Sequence, residues 1–420
     1  MPVDFSLTDE QLQARAQARA FAEAHLTKVA ATIAGLPTPE ERFRAIRPFY
    51  EEMVRAGFLK GLIPEADGGT GVGLLDLAIT GEEITAVDVN VSCGLFSSGL
   101  GLQPLLHWGT PEQKARLLTP FLVDDGAPLC AFAFSEVGGT ANFDNPDPEG
   151  GIRTIARREG DEWVISGRKQ FTTNGAGWDG NGADLYTVVC RTDPTRPPQS
   201  SLAVIAVPGP AEGIHVGRAL DTMGHRAALS PQVTFDEVRV PVDNILGAPG
   251  DGIEILTRTF SWSAALVGSG CVAVMKAAFD AALEFARTER RGGSAPIITH
   301  QNVGYGLADV KTRIEAARYL TWKACHYFEA TGGLGSEIPV MSKIFASETA
   351  VRVIVDLMEI VGVESYATDL PFTGFMQDAL AFPLYDGGNM GIRRRQLHEL
   401  FTLPSYDAAA AAEGRVSASD

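Results

Sequence analysis

Long apolar runs are missing from this sequence of 420 residues. No stretch holds the ~18 consecutive apolar residues needed to span a bilayer; the nearest, Trp262 to Met275, is broken by serines and glycines and stops at Lys276. The start, MPVDFSLTDEQ, has no basic segment followed by an apolar one, so no targeting leader is expected there. Cysteine is scarce: Cys93, Cys130, Cys190, Cys271 and Cys325 are scattered and never in CxxC spacing. Neither a disulfide framework nor a zinc site is expected, and a reduced, cytoplasmic compartment fits. The histidines show no pair at metal-ligand spacing, so no metal is expected, and GxSxG and P-loop strings are absent. Positive charge is in deficit, with 35 Lys and Arg against 52 Asp and Glu for a net charge of −17. That excludes a general affinity for nucleic acid or an anionic membrane, and any anionic cofactor must be gripped by local arginines.

What is present is a globular balance, 45% hydrophobic and 21% charged, in a chain long enough for about three domains of roughly 150 residues. Thr8 and Gln11 form a capping box, and Leu12, Ala16, Ala20 and Ala24 follow at helical spacing. Helical character continues to residue 127, with a second start at Thr110 and Pro111. Near 128 the period changes. Ile152, Thr154 and Ala156 share one face, Gly160 turns the chain, and Trp163 and Ile165 alternate again, which is a hairpin. Leu185 to Cys190, Leu202 to Val207 and the set Val233, Phe235, Val238, Val240 are further strands. The helical period returns over 255 to 287, 301 to 331 and 337 to 361, the last ending at Gly362, and the Ala- and Ser-rich tail 408 to 420 is expected to fray. The expected domains are therefore helical (1–127), β (128–249) and helical (250–420), with clefts at the junctions.

Four segments offer chemistry. AFAFSEVGGTAN (Ala131 to Asn142) combines Ser135 and Thr140 hydroxyls with close-approach glycines, suited to a flat hydrogen-bonding ligand or a phosphate, or simply to a turn. KQFTTNGAGWD (Lys169 to Asp179) offers Phe171 to stack on a ring and Thr173 to donate to it, or a β-turn at Asn174 and Gly175. In LYDGGNMGIRRR (Leu384 to Arg395) Asp386 precedes a glycine pair, where amides and a helix N-terminus would favour its charge. Arg393 or a neighbouring arginine could turn inward to pair with it; the alternative is a helix cap followed by solvated arginines. RGGS (Arg291 to Ser294) could hold a phosphate or merely end a helix.

Taken together, PEADGGTG, GTPEQKARLL, FSEVGGTAN, WVISGRKQFTTNGA and MGHRAALSPQVTFDEVRVPVDNIL resemble the acyl-CoA dehydrogenase superfamily over nearly the whole chain. Within it, GWDGNGADL, SAALVG, RGGS, SYATD and PLYDGGNMGIRRRQ resemble the nitroalkane oxidases, DGG standing where medium-chain acyl-CoA dehydrogenases carry a glutamate in an EGT-like string. The resemblance implies an α+β fold with an N-terminal helical domain, a middle β-barrel and a C-terminal four-helix bundle. It also implies FAD as cofactor, O2 as oxidant and a homotetramer whose FAD sites are completed by a neighbouring copy. By position it implies that Asp386 is the base, Arg393 its charged partner and Ser263 a hydrogen-bond donor to it. Phe134, Ser135, Thr140, Phe171 and Thr173 would face the flavin, and Arg291, Ser294, Gln301, Gly362 and Asn389 would serve FAD elsewhere. The implied reaction takes neutral nitroalkanes to aldehydes or ketones: proton abstraction, attack of the nitronate on flavin N5, release of nitrite, and formation of hydrogen peroxide. The rivals are an acyl-CoA dehydrogenase, a flavin monooxygenase that N-hydroxylates an amino sugar, and a non-enzymatic FAD-bearing assembly protein.

Overall fold

A computed structural model describes residues 5–418. The helices begin where the capping chemistry places them. Thr8 and Gln11 close a reciprocal box at Asp9–His25, Thr110 and Gln113 do the same at Pro111–Leu117, and Thr38 with Glu41 makes a third at Pro39–Ala45. The central pair of the N-terminal domain is Leu74–Thr85 and Val89–Trp108, the second running along the sheet domain as well.

The sheet is one continuous unit of eight strands: β1 (Cys130–Ala133), β2 (Ile155–Glu159), β3 (Glu162–Lys169), β4 (Leu185–Arg191), β5 (Leu202–Pro208), β6 (Ile214–Ala219), β7 (Pro231–Pro241) and β8 (Ile245–Leu246). Their order is β6-β7-β3-β2-β4-β5-β8, with β1 parallel to β4. The end strands β6 and β8 do not pair with each other among the described residues, so the expected barrel is open along one side. The expected hairpin is β2–β3, with Ala156 opposite Ile165 and Arg158 opposite Trp163. In β7 the apolar set slips by one residue between Phe235 and Val238. The register against β3 shifts at the same place, and Glu237 there has φ +53°, so a β-bulge restores the buried face.

Three long helices, Gly252–Thr288, Gln301–Ala330 and Glu337–Val361, pack on one another to form the C-terminal domain. Where a fourth long helix was expected, the chain has short pieces instead: Phe372–Ala379, a π-helical turn Gly388–Arg393 and Arg394–Thr402. By length and mean composition Gly252–Thr288 could cross a membrane, although serines and glycines interrupt its apolar run; 56% of its most apolar window is buried inside the protein, where it serves as the central core helix. Within the described residues, to 418, the tail does not fray as expected; residues 419 and 420 lie outside them. Ala410, Ala411 and Ser417 are buried, Tyr327 donates to Arg415 O at 2.9 Å, and the Ser417 hydroxyl donates to Glu337. All five cysteines are free.

One buried ion pair ties the loop after β1 to the sheet. Glu136, at 2% exposure, accepts from Lys169 Nζ at 2.8 Å, Thr154 Oγ1 at 2.6 Å and the Arg153 amide at 2.8 Å. Burial opposes the charge on Glu136, but Lys169 and these donors outweigh it and hold the carboxyl below its usual range. Glu136→Gln leaves the Lys169 ammonium buried without its counter-charge, so unfolding free energy in urea should fall by about 3–5 kcal/mol. Adding Lys169→Met should restore a large part of it; an unchanged midpoint for Glu136→Gln would show that the pair contributes nothing.

Candidate active site

The Asp386 turn is built from left-handed backbone. Asp386, Gly387 and Gly388 have φ of +52°, +85° and +60° in succession. Two of the three are glycine, which adopts this region freely, and aspartate is among the few other residues that tolerate it. The π-helical turn Gly388–Arg393 follows and swings Arg393 back over the carboxylate.

Arg393 is completely buried. Its Nη2 donates to Asp386 Oδ2 at 2.5 Å and to Phe260 O at 3.2 Å, and its Nε donates to Asp386 O at 2.9 Å. The other carboxylate oxygen, Oδ1, accepts from Ser263 Oγ at 2.6 Å. The Asp386 side chain is only 5% exposed. The expected amides and helix N-terminus are not what holds it: the partners are a guanidinium and a hydroxyl. The three successive arginines diverge, Arg393 inward to Asp386, Arg394 to Glu348 at 2.8 Å, and Arg395 to Asp144 at 2.8 Å and Asn142 at 3.1 Å.

Aromatic rings close one side. Phe260, one turn before Ser263, has the Arg393 guanidinium 5.3 Å above its ring and meets Phe134 edge-on at 5.1 Å and Phe132 at 5.6 Å. On the approach to the turn, Tyr385 meets His225 edge-on at 5.7 Å, and the His225 amide donates to Asp378 Oδ1 at 2.7 Å. Burial lowers the pKa of the His225 imidazole. This site sets a carboxylate beside a permanent cation, shielded from water, and can present it to a small carbon acid.

Three family descriptions match the chain in order: acyl-CoA dehydrogenase N-terminal domain over residues 8–124, middle domain over 131–238 and C-terminal domain over 250–400. This chain belongs to the acyl-CoA dehydrogenase family. It is similar to nitroalkane oxidase of Podospora anserina, 41% identical over 97% of this chain and 98% of that one, and to nitroalkane oxidase of Fusarium oxysporum, 38% identical over 98% of each. The mouse short-chain specific acyl-CoA dehydrogenase is 30% identical over 89% of this chain and 85% of that protein. Among solved structures, the Podospora nitroalkane oxidase superposes with a TM-score of 0.92 at 39% identity, covering 98% of this chain and all of that one. An active-site variant of nitroalkane oxidase crystallised with 1-nitrooctane gives 0.93 at 37% identity, with the same coverage. The protein is thus a nitroalkane oxidase-like flavin-dependent oxidoreductase with the acyl-CoA dehydrogenase fold.

Several of the residues expected to face the flavin leave room for a flat cofactor. Phe171, at φ +55°, is 54% exposed, unusual for an aromatic ring beside a core sheet, and Thr173 Oγ1 shares a 2.8 Å hydrogen bond with Ser230 Oγ. Above Gly139, at φ +100°, lies open space. Ser135 is half-buried and Thr140 buried on the same loop, and Gly391 of the Asp386 turn faces Ala141 of that loop. Phe134 packs within the aromatic cluster at 4% exposure. Arg291, Ser294, Gln301 and Gly362 are not brought to this place. The Arg291 guanidinium packs on Gly362 and donates to Val361 O, Ser294 O accepts from Arg290 at 2.5 Å, and Gln301 donates to Tyr305. From Ser263 to the end of its helix at Thr288 the rise is about 38 Å, at 1.5 Å for each of 25 residues.

Asn389 is committed within the chain: its side chain accepts from Lys343 and donates to Ser347 and Glu348. Sequence reasoning missed this contact and Lys343 itself. The available signal was a lysine on the apolar face of the helix after Ser336, in VMSKIFA.

A methyl group at residue 387 would sit 3.2 Å from Arg393 Nε in a left-handed conformation. Gly387→Ala should therefore destabilise the protein by about 1–2 kcal/mol in thermal unfolding. Gly391→Ala, whose methyl meets only ordinary contact at 3.5 Å, should leave the melting temperature unchanged. Equal behaviour of the two variants would contradict the assignment of strain to the turn.

Proposed function

We propose that the protein is an FAD-dependent oxidase that converts neutral nitroalkanes to aldehydes or ketones, releasing nitrite and hydrogen peroxide. One observation carries the reading: a nearly water-free aspartate, bonded on one oxygen to Ser263 and on the other to Arg393. Asp386 takes the α-proton, which is comparatively acidic in a nitroalkane. Charge balance is kept throughout. Before transfer the carboxylate is neutralised by Arg393; afterwards the carboxyl is neutral and the same guanidinium balances the nitronate. Ser263 fixes the orientation of Oδ1 through its 2.6 Å bond. Bound FAD would accept the electron pair and pass it to O2. Ser135, Thr140, Phe171 and Thr173 would hold the flavin end beside Asp386. With Arg291, Ser294, Gln301 and Gly362 beyond a helix segment of about 38 Å, the other half of each FAD site is supplied by a neighbouring copy in a homotetramer.

Anaerobic nitroethane should bleach the bound flavin, and in air nitrite and peroxide should appear in equal amounts. Bleaching by a short acyl-CoA thioester instead, with no nitrite, would transfer the assignment to an acyl-CoA dehydrogenase. Ser263→Ala should slow flavin reduction by nitroethane about tenfold, equivalent to ~1.4 kcal/mol, with FAD content intact; an unaltered rate in stopped flow would reduce Ser263 to a packing residue. Arg291→Ala should lower FAD occupancy and loosen the oligomer together, at ~1.5–3 kcal/mol per lost charged hydrogen bond. Full FAD content at unchanged size in gel filtration would refute the shared site.

A further inference from the structure

Lys343 lies on the inward face of Glu337–Val361, among buried Pro339, Val340, Ala346, Ser347 and Ala350, and is itself completely buried. A cation there has given up its water. In return Nζ donates to one neutral acceptor, Asn389 Oδ1, at 2.8 Å. The two carboxylates that act on it, Asp386 and Glu348, are bonded to Arg393 and Arg394 instead. Burial pushes the ammonium down to about 8 from 10.5. Asp386, Cys271 and Glu348 oppose that shift, while Arg393 adds to it. Because the folded value is the lower one, the unfolded chain binds more protons between about pH 8 and 10.5, so stability rises with pH through that window and at pH 7 the buried charge is a net burden. With burial set against the charge, the role of Lys343 is to be sought in its one hydrogen bond.

Its single partner supplies that role. Asn389 stands midway in the turn between Asp386 and Arg393. It accepts from Lys343, donates from Nδ2 to Ser347 Oγ at 3.0 Å and Glu348 Oε1 at 3.1 Å, and donates from its amide to Pro383 O at 2.9 Å. Three bonds thus fasten the π-helical turn to the helix beneath it and the fourth ties it to the segment before Asp386, while Arg393 ties the end of the turn back to Asp386.

We propose that Lys343 is a positioning residue for the carboxylate base: through Asn389 it fixes the turn that carries Asp386 and Arg393. The proposal rests on Asp386 acting as the base. Two readouts separate it from that reading, both on the FAD-loaded protein. Lys343→Met, apolar and of similar length, should melt no lower than the unsubstituted protein at pH 7, while amide exchange over residues 387–393 accelerates about tenfold or more. Flavin reduction by neutral nitroethane should slow about tenfold, while reduction by the preformed ethyl nitronate stays unchanged. Asn389→Ala should reproduce both effects, and the double variant should add little, since the two residues act through one contact. Asn389→Ala also carries the test if Lys343→Met does not fold. Equal losses on nitroethane and nitronate, or unchanged exchange over 387–393, would overturn the proposal. If the unsubstituted protein releases no nitrite, the nitroalkane reading fails on its own. The exchange data then decide for the lysine: acceleration confined to 387–393 keeps it as the anchor of the turn, and none removes it.

Discussion

A carboxylate hidden from water must be given its partners by the same fold that hides it, and the Asp386–Arg393 pair is where this chain meets that demand. Removing either member would leave the other charged and buried, a loss of about 3–5 kcal/mol. The surrounding geometry follows from keeping both. The left-handed run at Asp386, Gly387 and Gly388 turns the chain sharply, the π-helical turn brings Arg393 back over residue 386, and the Phe260 carbonyl accepts a further hydrogen bond from the guanidinium. Ser263 completes the carboxylate from the long helix that also forms the core of the C-terminal domain.

The pair is linked to the loop expected to face the flavin. Arg395 reaches Asn142 and Asp144 at the end of that loop, and Glu136 near its start is tied to Lys169 and Thr154 of the sheet. Base turn, loop and sheet therefore form one connected polar framework across the domain junction. Such a junction, with rigid elements on both sides, lets a cofactor and a base be set against each other with little freedom.

Much of this was legible in the sequence because it depends on local rules. Thr8, Thr110 and Pro111 mark helix starts and Gly160 marks the hairpin, whereas the left-handed run at Asp386 was not read from DGG, although its glycine pair carried the signal. Asp386, Arg393 and Ser263 were visible through resemblance, and the fold brings them together. Features set by distant contacts were not legible. The tail looks frayed by composition but is held by Tyr327 and Glu337, far away in sequence. Asn389 has the look of a ligand contact until Lys343 is seen to occupy it. Trp178, in a run that resembles nitroalkane oxidases, stacks on Phe43 at 4.4 Å and donates to Ala127 O, so that run joins the domains.

The central claim is that Asp386 removes a proton, and it is tested most directly by comparing two forms of one substrate. With Asp386→Asn, oxidation of neutral nitroethane should fall by about 10²–10⁴-fold, followed as nitrite and peroxide release, while the preformed nitronate, its proton already gone, is oxidised at close to the original rate. Equal losses on nitroethane and nitronate would contradict the account and leave Asp386 a structural residue.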